Sequence, residues 1–393
     1  MSATAARRPG PALGTMASVE GARVDFTRLR ADRRRRLLEA MAAAGLDALV
    51  LGRPANALYA SGARQLWTAG ARPFGPGCVV VAATGRVHLL STWDEGVPPE
   101  LDHDELYGIT WNPARVAASL RAIPGLAGAK RVGTDGLSPG FVPFLRGVAP
   151  DAVVVDGGPA LRAARTVKTP DELACLATAV AVAEAALSAL VEALHPGVTE
   201  RQLLGRYAER VAELGTPTPP SDAVVCATPS SGPVTRHHQA GDRPIDPGQL
   251  VVLEPGALFA GYEGGIGRTW LVGAEPTSAQ RALASRSRAA VDAVVAACRA
   301  GATGEALLSA ATSTGETLGV GPVAYGLGLG VEAPLVAAGF GGATVLAAGT
   351  VLAVQAWVAE AGVGGFFERE VVVVGDDGPC RLSRYGHGPA GTR

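Results

Sequence analysis

Apolar residues along this chain follow two periods, one near four residues and one of two. Phe26 to Ala44 has helical spacing, and Ala48 to Leu51 is a short apolar run that ends at Gly52. Cys78 to Ser91 alternates around Thr84 and Gly85 and predicts a hairpin. The segments AKRVGTDG (129–136) and DAVVVDGG (151–158) predict two more strands, with helical sequence between them. Strand and helix alternate, which predicts a small α/β domain over residues 23–163.

A boundary falls near Arg165 and opens a second domain over residues 164–388. Thr169, Pro170, Asp171 and Glu172 form a capping box with proline at the first helical position. They start a long Ala/Leu-rich helix that His195-Pro196-Gly197 stops. Thr199 to Gln202 is a second capping box, for a helix ending at Gly215. Strand-like runs follow at 223–228, 249–257 and 267–273. The order then recurs: a helix from about Ala279 to Ala300, another from Thr303 to about Gly319, and strand-like runs to Val374. A helix-helix-strand duplication of this kind predicts a site in the cleft between two similar halves.

Composition narrows the functional classes. Lys plus Arg number 35 against 36 Asp plus Glu, a net charge of −1 that points to neither nucleic acid nor an anionic membrane. Arg33 to Arg36 read as a solvated basic face. Five widely spaced cysteines, with no CxxC pair, read as reduced buried thiols of a cytoplasmic protein. Residues 1–22 are rich in Ala, Gly, Pro and Ser and are expected to form a disordered tail. Ala333 to Ala359 is uncharged, but its glycines and Pro334 fit two buried strands and a turn better than a membrane span.

Five segments, in order and in register, resemble the creatinase/prolidase/aminopeptidase P family. They are RRRRLLEAMAAAGLDALVLGRPANALYASG, RTVKTPDELACLATAV, HPGVTERQLL, GYEGGIGRTWLVG and FEREVVVVGDDG. The resemblance implies an α+β protein: a creatinase-like N-terminal α/β domain, then a "pita-bread" domain with a pseudo-twofold repeat. It implies an Xaa-Pro peptidase-type hydrolase, a small-molecule or short-peptide substrate and a homodimer. Arg64 or Trp67 is a candidate to complete a neighbour's pocket.

Carried over position by position, the family's pocket-wall histidine matches His237, with His238 peripheral. The two metal aspartates match Glu254 and Gly265, and the metal histidine matches Tyr325. A further histidine falls at about Glu332. The two metal glutamates match Gln355 and Glu368, with Glu370 as the competing register for the second. Arg268 matches a structural arginine and is expected to form an ion pair first, with substrate contact as its other role.

Two divalent cations need about four carboxylates. Glu254 and Glu368 supply two, and glycine, tyrosine and glutamine add no charge. The sequence therefore implies no cofactor and a metal-independent enzyme acting on a C–N bond. His237 would be its general acid/base, with Glu254, Tyr325, Gln355, Glu368 and Arg268 around the substrate. Creatinase is the family's metal-free precedent, but its guanidinium-gripping glutamate would fall at Gly267 here. Two alternatives stay open: a metal-dependent Xaa-Pro aminopeptidase or dipeptidase, and a non-catalytic protein that binds a small molecule or peptide in the same cleft.

Overall fold

The structure is a computed structural model that describes residues 24–63, 76–91, 97–108, 112–136, 141–216, 223–228, 234–317 and 321–386. The predicted N-terminal tail, Arg64 and Trp67 lie outside the described residues. The chain divides into two compact units, Met1–Arg165 and Thr166–Arg393.

The first unit contains α1 (Phe26–Ala43), β1 (Ala48–Leu51), α2 (Pro54–Ser61), β2 (Cys78–Val81), β3 (Arg86–Leu90) and β4 (Leu106–Tyr107). It continues with α3 (Pro113–Ala122), β5 (Arg131–Thr134), α4 (Phe141–Val148), β6 (Val153–Asp156) and α5 (Gly158–Arg165). The strands form one mixed sheet in the order β4-β3-β2-β1-β5-β6. The predicted hairpin is β2 against β3, with Gly85 at positive φ in its turn. Asp25 caps α1 by accepting from the Arg28 N–H, and Leu29, Arg33, Leu37 and Met41 form its buried stripe at i, i+4 spacing. That spacing corrects the reading of a wholly solvated arginine run. Arg33 is buried with its guanidinium over the Tyr59 ring at 5.6 Å, whereas Arg35 is exposed and pairs with Glu39.

The second unit repeats its order as predicted. Its first half is α6 (Pro170–Glu192), α7 (Glu200–Glu213), β7 (Val224–Ala227), β8 (Leu250–Glu254), β9 (Gly256–Phe259), β10 (Tyr262–Gly265) and β11 (Arg268–Leu271). The second half is α8 (Ser278–Ala297), α9 (Gly304–Thr312), β12 (Ala324–Gly328), β13 (Gly330–Val336), β14 (Val351–Glu360), β15 (Gly364–Val373) and β16 (Cys380–Arg381). Each half has its own core. Leu187, Leu190, Leu203, Val251 and Leu253 lie in the first, and Val291, Val294, Leu307, Leu352 and Val372 in the second. Fully burying one such side chain contributes about 1.5–3 kcal/mol, so each core is a large stabilising block.

Both predicted capping boxes are present. Thr169 and Glu172 close the start of α6, and Thr199 and Gln202 close the start of α7. Glu172 also accepts a hydrogen bond from the Tyr262 hydroxyl at 2.8 Å, which ties that cap to β10. Helix α6 is the one described helix long and apolar enough to cross a membrane, but its apolar face is packed into the first core. The uncharged stretch 333–359 contributes to β13 and β14. None of the five cysteines forms a disulfide; four are buried, and Cys380, against expectation, is exposed.

The sheets that carry the site are β11-β8-β7, β10-β9 and β13-β12-β14-β15-β16. An antiparallel bridge between Gly267 and Arg369 joins the β10–β11 segment to the middle of β15. The close approach requires glycine there, since a Cβ on Gly267 would lie 2.4 Å from the Phe367 ring.

Candidate functional site

Strand β15 carries Glu368, Arg369 and Glu370 in succession, and all three are buried. Buried charges need partners, and successive side chains of a strand point to opposite faces. The chain meets both demands with two ion clusters, one on each face of β15.

On one face, Arg268 serves Glu370 and Glu368. Its Nη2 donates to Glu370 Oε1 at 2.6 Å, and Nη1 stands 3.6 Å from Glu368 Oε2. The same guanidinium donates to the carbonyls of Gly267, Arg369 and Tyr385. Arg268 is therefore a buried clamp between β11, β15 and the C-terminal segment, and its ion-pair role stands as predicted. Glu368 and Glu370 share this face, which turns both registers of the expected site glutamate away from the opposite cluster. Strand parity is the physical reason.

On the other face, Arg369 takes the position expected of a carboxylate. Its Nη1 donates to Glu254 Oε1 at 3.0 Å, and its Nη2 lies 3.4 Å from Glu263 Oε1. The guanidinium sits over the Tyr325 ring, 5.4 Å from its centroid, within cation–π range. Gly265 opens the space for it, since a Cβ there would stand 3.1 Å from Arg369 Nη1 and 3.2 Å from Cζ. Glu263 and Gly265 are two residues apart on β10 and so share a face.

Burial opposes the charge on Arg369, but Tyr325, Glu254 and Glu263 outweigh it and hold the guanidinium above its ordinary pKa. The Tyr325 phenol is pushed up, first by burial. Arg369 pulls it down, Glu254 and Glu263 push it up, and Arg236 pulls it down.

Gln355 is the direct cross-strand neighbour of Arg369 and lies on the same face. Its Nε2 donates to the Pro322 carbonyl at 2.9 Å, and its Oε1 faces Arg236 Nη1 at 3.5 Å. Glu254, Tyr325 and Gln355 thus come together around Arg369, while Glu368 and Arg268 do not. Glu332 is drawn elsewhere into a buried ion pair with Lys168 at 2.9 Å, and its other oxygen accepts from the Leu329 N–H.

The two histidines separate. His237 is exposed and has no hydrogen-bond, ion-pair or ring partner among the described residues. His238, expected to be peripheral, is held on both ring nitrogens, 2.7 Å from Glu200 Oε1 and 3.0 Å from Cys226 Sγ. A cysteine, a histidine and a glutamate in line invite a nucleophilic reading. Burial, followed by the Glu200 charge, pushes the Cys226 thiol up to about 12, and Cys226 is fully covered by its neighbours. A covered thiol that keeps its proton is a structural group rather than a nucleophile.

The metal pair that the resemblance brings does not fit these residues. Among the described residues no three His, Cys, Asp or Glu side chains come together to hold a metal ion. Both carboxylates at the site are already engaged by Arg369, leaving a net charge of only about −1, and Gly265, Tyr325 and Gln355 add none. A cation placed about 5 Å from the buried guanidinium would meet roughly 3 kcal/mol of repulsion per unit charge at an effective dielectric of about 20.

The model of metallopeptidase family M24 matches residues 174–376, just over half of the chain. The chain belongs to that family. The creatinase/prolidase N-terminal domain matches residues 33–167. As a member of M24 the chain is similar to the Xaa-Pro dipeptidase of Pyrococcus horikoshii. The two are 25% identical over 241 residues, which is 61% of this chain and 64% of that enzyme, just under two thirds of its length. It is also similar to the Xaa-Pro aminopeptidase of Escherichia coli, 28% identical over 130 residues, 33% of this chain and 29% of that one. The solved prolidase of Pyrococcus horikoshii OT3 superposes with a TM-score of 0.73 at 22% identity, covering 91% of this chain and 99% of that one. The Xaa-Pro dipeptidase of Bacillus anthracis gives 0.74 at 21% identity, with coverages of 91% and 98%. These superpositions establish the α+β creatinase-like and pita-bread architecture.

Sequence reasoning missed two members of the site, Glu263 and Arg369, and the neighbouring Arg236. Glu263 was within reach, because parity from Gly265 puts it on the same face. Arg369 was hidden by two glutamates that each looked like the expected ligand. Arg236 sits beside the predicted His237, and it is Arg236, not His237, that meets Gln355 and stacks over Phe367 at 4.5 Å.

Proposed function

We propose that this M24 member is a hydrolase of small peptide or amino-acid derivatives, of the Xaa-Pro peptidase type, that works without the family's metal pair. The observation that carries the reading is the Arg369 guanidinium, held between Glu254 and Glu263 in the gap that Gly265 leaves. It supplies a fixed positive charge where the resemblance expects metal cations.

Such a site offers a substrate several distinct handles. Arg369 and the Gln355 amide can orient a carbonyl, and a guanidinium aimed at developing negative charge stabilises a transition state. Glu254 and Glu263 can hold an amine, each through the carboxylate oxygen that Arg369 does not engage. His237 is assigned the proton transfer. Its ring lies on an accessible loop next to Arg236, and His238 is held by Glu200 and Cys226. The expectations of a homodimer and a cytoplasmic setting travel with the family reading and belong to this proposal.

A second reading is favoured by the relatives, whose names are Xaa-Pro dipeptidase and Xaa-Pro aminopeptidase. In it the chain cleaves the same bond with metals. One experiment separates the readings: metal content and hydrolysis of Xaa-Pro dipeptides and small amides, measured before and after chelation. Turnover that survives chelation and falls at least a hundredfold in His237→Ala supports the proposal. Two metals per chain with chelator-sensitive turnover would overturn it in favour of the second reading. Saturable binding with no turnover would make the chain a binding protein.

A further inference from the structure

Arg236 differs from the other two arginines of the region. Arg268 and Arg369 are matched by buried carboxylates, whereas Arg236 has no carboxylate partner among the described residues. Its guanidinium lies over the Phe367 ring, 4.5 Å from the centroid, and its one hydrogen bond among the described residues, to the neutral Gln355 amide, is long at 3.5 Å. The contact covers one face of the cation, and most of its five donors have no partner among the described residues.

The same Arg236 lines a cavity of about 290 Å³ at the edge of β14, beyond the end of β12 and on the side of α8 and α9. Val294, Val323, Trp357 and Val358 give it an apolar wall. Its one acidic lining residue, Glu316, is already held by Arg286 through contacts of 2.6 and 2.9 Å. An anion entering the cavity therefore meets a guanidinium with no carboxylate partner among the described residues and one carboxylate already engaged by Arg286. The volume lies at the small end of ligand sites, which limits the guest to a few heavy atoms.

We propose that this cavity binds a small monocarboxylate with a compact apolar body, the carboxylate on Arg236 and the body against Val294, Val323 and Val358. A charge-assisted, bidentate pair with an arginine is the strong anchor, and the apolar wall selects against inorganic anions. The site is distinct from the Arg369 cluster, and Gln355 stands between the two. Its occupancy does not depend on turnover, so the inference survives if the hydrolase reading fails.

Isothermal titration of the full chain with isovalerate tests it, with isoamyl alcohol and inorganic phosphate as controls. Saturable binding of isovalerate alone is expected. Arg236→Gln is expected to weaken it at least tenfold, and Val294→Phe, which fills the cavity without touching charge, by a similar factor. If Val294→Phe does not fold, Arg236→Gln on its accessible loop still decides the outcome. A parallel titration with Gly-Leu shows whether the carboxylate comes from a free acid or from a peptide C-terminus; tighter binding of either assigns the source. No saturable binding, equal binding by Arg236→Gln, or equal binding of the alcohol would overturn the proposal.

Discussion

Arg369 Nη1 stands 3.0 Å from Glu254 Oε1, and both side chains are largely withdrawn from water. Glu254 comes from the last position of β8 and Arg369 from the middle of β15, so one ion pair fastens the two halves of the repeat at the site. The join is made by a covalently attached cation.

Removing that cation leaves Glu254 and Glu263 facing each other without compensation. Arg369→Met is expected to destabilise the protein by about 3–5 kcal/mol at neutral pH, the usual cost of breaking a buried pair. Adding Glu254→Gln and Glu263→Gln to that variant is expected to restore much of the loss, since no charge of this cluster is then left unpaired. Urea denaturation of the three proteins measures both effects. A loss below about 1 kcal/mol in the single variant would mean that water already screens the cluster.

The same geometry predicts how a metal site could be rebuilt. In the double variant Gly265→Asp with Arg369→Glu, four carboxylates would face one another with no internal cation. Like charges at that distance repel, and a divalent ion relieves the repulsion. The double variant is expected to bind Mn²⁺ in a calorimetric titration, and the unaltered chain to give no heat at the same concentrations. Gly265→Asp alone is expected to fold poorly, because its Cβ would press on the guanidinium.

Tyr207 offers a pH test of the first core of the second unit. Burial pushes its phenol up to about 12, and the neutral hydroxyl donates to the Gly256 carbonyl at 2.5 Å. A folded-state pKa above the unfolded value near 10 gives stability that is fully present below pH 10 and is lost as pH rises toward 12. The loss from this group is expected to be about 2–3 kcal/mol. Denaturation curves between pH 9 and pH 12 for the unaltered chain and Tyr207→Phe isolate it, and the difference between the two should shrink over that window.

How much of this was legible in the sequence depends on the range of the interaction. The capping boxes at Thr169 and Thr199 were readable because a cap is settled within four residues. The two-unit order and the repeated helix-helix-strand pattern were readable because the hydrophobic period is local. The neutral residues at Gly265, Tyr325 and Gln355 are legible in the sequence as well, and the proposal of a metal-free site starts from them. The sequence alone therefore determined the family and the architecture. It did not determine which side chains of β15 meet Glu254 and Tyr325. Glu368, Arg369 and Glu370 are three adjacent letters, and only strand pairing and the bridge to Gly267 sort them onto opposite faces. Strand parity has no sign until a neighbour fixes which face is inward. In this protein the tertiary structure gave the face toward Glu254 and Tyr325 to the arginine.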